Sequence, residues 1–403
     1  MAIRATGPEP DRRKMQALDA TLEILDLRHF AAPVLRPLLD AESEIWSERL
    51  HWDYRASARL LMQYLDNRML PGYAAVQAGK VTGYVFCVYE ETKAVIGDVF
   101  ALPDAAESAN GVSSPVRARE DTLLRHLFEL LLNSPHVDRI ESQLLLHPSG
   151  QFAPAFREVG FEVFRRLFMV QSLAGRWSQP HSDLPGNLEF RSWRESDLAP
   201  AARLICEAYR DHPDSLINDQ YRSVHGSMRF LNNIVRYAGC GTFAAQASYV
   251  VVDRASRELV ALVLGSRVSE QSGHLTQVCV HPAFRRRGLA RLMLAHAAFS
   301  FMRLGVSEIS LTVTEANADA IQLYQDEGYQ SAHSFDAAVW HRTHTGREAL
   351  HERGDQRYAE MCGRGRPHYS RSGDRRYAAL GSVALATAAI RKTHANPART
   401  SIP

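Results

Sequence analysis

Cysteine is scarce: the chain has five in 403 residues, Cys87, Cys206, Cys240, Cys279 and Cys362. They are widely spaced and show no Cys-x-x-Cys or Cys/His ligand pattern, so neither a disulfide framework nor a zinc site is suggested and no metal is expected. Long apolar runs are also missing. None approaches the ~18 residues needed to span a bilayer, and the polar start MAIRATGPEPDRRKMQ lacks a signal-peptide core. The expectation is a cytoplasmic protein with no membrane partner. Net charge is nearly absent too, at +2, which argues against a whole-protein nucleic-acid binder. The Arg excess of residues 341–403 offers charge alone for that role.

What is present is ordinary globular composition, 45% hydrophobic and 23% charged, over a length that one core rarely organises. The pattern predicts an order that occurs twice. In the first half, helical spacing over Thr21 to Leu65 precedes three strand-like runs at Tyr73–Gln77, Val81–Tyr89 and Ala94–Ala101. A helix through Leu123–Leu131 and strands at Ile140–Leu146 and Phe161–Val170 follow. In the second half come a strand at Leu188–Trp193, helices through Ala201–Tyr209 and Tyr221–Tyr237, and strands at Tyr249–Val252, Val260–Arg267 and Leu275–Val280. A helix through Leu292–Phe301, a strand at Ile309–Val313, a helix ending near Tyr324 and a strand at Ala332–Val339 complete it. IGDVFALP, ending at Pro103, lies against LTQVCVHP, ending at Pro282, and FREVGFEVF lies against YQDEGYQSA. An internal duplication is the reading. It divides the chain into an N-terminal tail (1–20), a first domain (21–173), a linker (174–186), a second domain (187–340) and a mostly disordered basic tail (341–403).

The chemistry concentrates in the second half. After the strand that ends at Pro282, Arg285-Arg286-Arg287-Gly288-Leu289-Ala290-Arg291 leads into a helix. Arginines at a helix start are locally unfavourable, because that end already carries partial positive charge and free N–H groups. An anion there resolves the conflict, and Gly288 and the small Ala290 let the main chain approach it closely. Further on, Asn317 stands where a strand ends, suited either to cap a helix or to reach a ligand's amides. Tyr324 follows two helical turns later on the same side.

These pieces, Val278-Cys-Val-His-Pro, Arg285-x-x-Gly288-x-Ala290, Asn317-x-x-Ala-x-x-Leu-Tyr324 and Gly328-Tyr329, resemble in order and spacing the hallmark of the GNAT (Gcn5-related N-acetyltransferase) superfamily. The resemblance implies an α+β fold of two tandem GNAT-like acyl-CoA N-acyltransferase domains, each a mostly antiparallel mixed sheet flanked by helices, as in tandem members such as mycothiol synthase. It further implies acetyl-CoA as co-substrate and a small-molecule or peptide amine as acceptor, in a monomer or homodimer. Val278, Cys279 and Val280 would face the pantetheine arm, the amides from Arg286 to Arg291 the pyrophosphate, and Asn317 the pantetheine. Tyr324 would be the general acid toward the CoA thiolate. Many members place a basic carboxylate on the strand before the loop. Here that strand reads His274-Leu-Thr-Gln277, and His274, Glu270 and Glu315 are the substitutes considered for a base, beside a water relay.

The first half lacks the loop motif, has acids after Pro103, Phe156 where Tyr324 stands, Ser149 about where Asn317 stands and Asp98 against Gln277. It is expected to keep the fold without supporting transfer. The competing function is a non-catalytic acyl-CoA-binding or regulatory module.

Overall fold

The computed structural model describes residues 22–103, 114–175, 178–181, 184, 186–236 and 241–342. The expectations for the N-terminal tail, the loop after Pro103 and the chain beyond 342 lie outside the described residues, as do Cys240 and Cys362.

Alternation of apolar residues in the first half yields strands β1 (Glu23–Asp26), β2 (Gly72–Gln77), β3 (Lys80–Glu90), β4 (Lys93–Ala101), β5 (Arg139–Gln143) and β6 (Glu162–Ser172). The helices are α1 (Ala32–Leu50), α2 (Arg55–Asp66), α3 (Ser114–Leu132) and α4 (Ala153–Glu158). The stretch read as continuous helical spacing from Thr21 therefore opens with a short strand, β1, which pairs with β2. It breaks again at His51, which takes φ 56° after α1.

The second half supplies β7 (Leu188–Ser192), β8 (Thr242–Phe243), β9 (Tyr249–Asp253), β10 (Leu259–Arg267), β11 (Ser272–Val280), β12 (Glu308–Thr314) and β13 (Gln330–His341). Its helices are α5 (Leu198–Ala208), α6 (Asp214–Ile217), α7 (Val224–Val235), α8 (Leu289–Arg303) and α9 (Ala318–Asp326). Helix α5 buries Leu198, Ala201, Ala202, Leu204, Ile205 and Ala208, the one-sided spacing that packs a helix on a sheet. Helix α7 starts where the Ser223 hydroxyl accepts from the Gly226 amide at 3.0 Å.

Among the described residues all thirteen strands join one sheet, in the order β1-β2-β3-β4-β5-β13-β6-β12-β11-β10-β9-β7, with β8 on β10. The pairs β4–β5 and β11–β12 are parallel, and the other pairings are antiparallel. The last strand of each half crosses over. Strand β6 from the first half pairs with β12, whereas β13 from the second half pairs with β5, and the two crossing strands pair with each other from Gln330↔Val170 to Val339↔Glu162. Sequence order gives no sign of this exchange, because a strand's pattern records its buried face and not its neighbour.

A buried ion cluster fastens the halves. Lys93 of β4 meets Glu90, Glu141 and, at 2.8 Å, Asp219, and Arg139 of β5 donates to the carbonyls of Leu216 and Ile217. Burial presses the Lys93 ammonium downward, but Glu141, Glu90 and Asp219 outweigh it and hold the group above its ordinary value. The segment from α6 to Arg222 is thereby anchored on first-half strands.

The core of the second half brings α8 onto the sheet. Phe301 lies over Gly265 of β10 and Gly273 of β11, where added methyl groups would stand 2.7 and 2.8 Å from its ring. Glycine at those two points lets α8 sit close, which fixes where its N-terminus emerges.

Candidate functional site

Strands β11 and β12 pair from Ser272↔Glu308 to Leu275↔Leu311 and then part, although β11 runs on to Val280 and β12 to Thr314. The β10–β11 ladder is irregular between Leu264 and Gly265, whose partners are Gln277 and Leu275, beside the parting. Such an irregularity adds local twist and turns one strand away from its neighbour. A cleft of about 1020 Å³ opens there, lined by Val278, Cys279, Val280, Arg285, Arg286, Gly288, Leu289, Ala290, Arg291, Asn317 and Tyr324. Of the residues expected to hold the cofactor or act as acid, all reach this cleft except Arg287, whose guanidinium donates to the Ala283 carbonyl and lies 4.8 Å from the centroid of the Phe284 ring.

At the mouth, the chain turns into α8 through two left-handed residues, Arg286 at φ 61° and Gly288 at φ 78°. Helix α8 has no side-chain cap and no acid in its first turn. Its first closing bond is Leu292 N–H to Gly288 O at 3.0 Å, so the preceding amides are the donors a helix start leaves free. Nothing would stand within 4 Å of a Cβ at Gly288. An open cradle of main-chain donors at the positive end of a helix suits a diphosphate.

The arginine side chains are mostly used elsewhere. Arg285 donates to Val280 O at 3.3 Å and Ala208 O at 2.9 Å, bracing the loop against α5. Arg291 pairs with Asp326 and with Glu327 at 2.6 Å. The anion-binding capacity of the loop thus resides in its backbone, with Arg286 exposed above it.

Asn317 caps α9, its Oδ1 accepting from Ala320 N–H at 3.3 Å, while its Nδ2 lies 3.2 Å from Nε2 of His212. Of the two uses weighed from sequence, the cap is present. Tyr324 is buried against Tyr329, ring centroids 5.8 Å apart. Burial raises its hydroxyl pKa, reinforced by Asp214 and Cys279 and opposed by Arg166, so it keeps its proton.

The substitutes considered for a base fare differently. Glu270 is exposed at the β10–β11 turn, and Glu315 is exposed and ion-paired with Arg165 at 3.3 Å; neither lines the cleft. His274 does line it. Its Nδ1 lies 3.0 Å from Ser310 Oγ, and that hydroxyl donates to Gly273 O, so Nδ1 carries the proton. Burial, with a smaller contribution from Arg166, lowers its pKa to about 3 and keeps the ring neutral.

Sequence reading missed a set of lining residues on the connection after α5. The Tyr209 hydroxyl donates to Val278 O at 3.4 Å, and its ring meets His212 edge-on at 5.0 Å. Asp214 N–H donates to His212 Nδ1 at 3.1 Å, and the Asp214 carboxylate accepts from the Thr314 hydroxyl. The turn His212-Pro213-Asp214 was the available signal. Gln143 and Arg166, from the first half, also line the cleft, and only the strand exchange puts them there.

Residues 192–329 match the model of the acetyltransferase (GNAT) family. A stretch of 58 residues is 40% identical to a [ribosomal protein bS18]-alanine N-acetyltransferase of Salmonella typhimurium, covering 14% of this chain and 39% of that relative. The chain therefore spans about two fifths of the length of that curated relative. Among solved structures, a GCN5-related glucosamine N-acetyltransferase region of a fungal multi-domain β-N-acetylglucosaminidase shares the fold. Its TM-score is 0.50 at 16% identity, over 80% of this chain and 38% of that one. A tandem GNAT protein from the clavulanic acid biosynthesis pathway aligns at 0.49 and 14% identity over 81% of this chain and 100% of its own. A GCN5-related N-acetyltransferase from Sphaerobacter thermophilus aligns at 0.49 and 15% over 79% and 95%. No helix among the described residues is long and apolar enough to cross a membrane.

Proposed function

We propose, from a GNAT acetyltransferase domain in the second half of the chain, that the protein moves an acetyl group from acetyl-CoA to a primary amine by direct transfer. The observation that carries this reading is the uncapped start of α8 at the point where β11 and β12 part. Acetyl-CoA, when bound, supplies the activated acyl group. The amides from Arg286 to Arg291 would hold its diphosphate, and the free edge of β11 at Val278, Cys279 and Val280 would hold its arm.

Tyr324 would donate its hydroxyl hydrogen toward the sulfur as negative charge develops there. Its raised pKa keeps that proton available across the physiological range. His274, at about 3, is too weak a base to deprotonate an ammonium, so the amine loses its proton to water instead. The first half would not bind CoA at its own parting of strands, a reading supported by the ring of His147 bonded there to the Val99 carbonyl at 2.8 Å.

Release of free thiol from acetyl-CoA against a panel of primary amines tests the proposal. Tyr324→Phe should lower kcat about a hundredfold or more while leaving cofactor affinity unchanged, the size usual for a positioned acid. In the wild type, kcat/KM should climb with pH toward the pKa of the amine itself. Cofactor binding without turnover for any amine would instead favour the non-catalytic binding module.

A further inference from the structure

Arg166 sits on β6, which the strand exchange wedges between β12 and β13. Its Nη1 donates to Gln143 Oε1 at 2.6 Å and its Nη2 to Thr312 Oγ1 at 3.4 Å, while its Nε is buried without a partner. Among the described residues no carboxylate lies within 4.0 Å of this guanidinium. It nevertheless borders the cleft, and its charge reaches Tyr324, Tyr221 and His274. A half-buried cation held only by neutral groups, the Phe335 ring at 5.9 Å among them, is costly, since no counter-charge repays the hydration it loses.

Opposite charge reaches the same tyrosine from Asp214. Asp214 also lines the cleft, and its field reaches Tyr209, Tyr221 and Tyr324. Gln277 adds a second buried, unpartnered donor in its Nε2. Cation and anion thus flank the tyrosine without pairing with each other.

We propose that the acceptor carries both an ammonium and a carboxylate, as a free amino acid or the like, with the amine drawn toward Asp214 and the carboxylate held by Arg166 beside Gln143. This rests on the acetyl-transfer reading and adds a substrate class to it. A single guanidinium presents a planar fork that matches one carboxylate in shape and charge, whereas a dianionic phosphate asks for more than one cation. The first half of the chain then takes part in the reaction through Arg166 and Gln143, as a wall that selects the substrate.

The test compares glycine, alanine, phenylalanine, glutamate and lysine with their primary amides as acceptors for the full chain, followed by thiol release. Calorimetry of N-acetylglycine against N-acetylglycinamide on CoA-saturated protein gives a readout independent of turnover. The carboxylate forms should be preferred at least about tenfold, the scale of a charge-assisted pair in a partly buried site. Arg166→Gln should reduce that ratio to near one with acetyl-CoA affinity unchanged, and Arg166→Lys should keep part of it. Equal use of acids and amides by the wild type, or an Arg166→Gln variant that loses both in equal proportion, overturns the inference while cofactor binding persists. A chain that binds no acetyl-CoA at all sinks the acetyl-transfer reading, and this inference with it.

Discussion

Strands β4 and β5 pair in parallel from Lys93↔Arg139 to Ile96↔Ser142, just as β11 and β12 pair from Ser272↔Glu308 to Leu275↔Leu311. Beyond those points the two halves use the same geometry differently. In the first, the His147 ring donates to the Val99 carbonyl at 2.8 Å, receives Gln151 at 3.2 Å and meets Phe152 edge-on at 4.9 Å. In the second, the matching strand edge receives the Tyr209 hydroxyl at Val278 O, at 3.4 Å, and Arg285 at Val280 O, at 3.3 Å, and borders open space. Phe156 packs into Phe128 and Phe161, whereas Tyr324 at the corresponding place borders the cleft. A parting between parallel strands must satisfy its backbone groups somehow, and a side chain can take the place a ligand would fill.

The largest expected effect that sharpens this contrast concerns Glu120, buried on α3 beside His147 and receiving Gln151 at 3.0 Å. Burial, opposed by His147 and aided by Asp98, raises its pKa to about 7. A carboxyl whose folded pKa lies above its unfolded one stabilises the fold fully below about pH 4.5, and loses that contribution as pH rises through about 7. The loss is on the order of 3 kcal/mol at about 1.4 kcal/mol per unit. Glu120→Gln should therefore flatten the decline in stability between pH 5 and pH 8, measured by urea unfolding. An unchanged pH profile would show that the filled parting does not hold a protonated acid.

A smaller effect is expected from Phe156→Tyr, which restores the hydroxyl that the second half has. Placed among Phe128 and Phe161, that hydroxyl finds no partner and should cost about 1–3 kcal/mol of stability. Thiol release should not rise. A gain in turnover would mean that the first half retains a working cleft and would break the comparison.

The fold was legible where periodicity and composition act locally. The runs Tyr73–Gln77, Val81–Tyr89 and Ala94–Ala101 are strands within one residue or so of the expected ends, because alternating burial writes itself into the sequence. The loop from Arg285 to Ala290 was legible because an arginine cluster at a helix start contradicts helix electrostatics. The destination of its side chains was not. Arg285 and Arg291 turn to Ala208 and to Asp326 and Glu327, partners distant in sequence or fixed by tertiary packing. Arg166 and Asp214 were missed for the same reason. Each stands in an unremarkable local context, and only the exchanged strand and the loop anchored by Lys93 carry them to the cleft.

Calorimetric titration of the chain with acetyl-CoA, for the wild type and Gly288→Glu, tests the central claim most directly. The substitution puts a carboxylate into the amide cradle and a side chain at φ 78°. One site per chain is expected, with affinity lowered at least about a hundredfold in the variant, as a charge of the wrong sign beside a desolvated diphosphate requires. Two equivalent sites, or a single site untouched by Gly288→Glu in a folded variant, would contradict it.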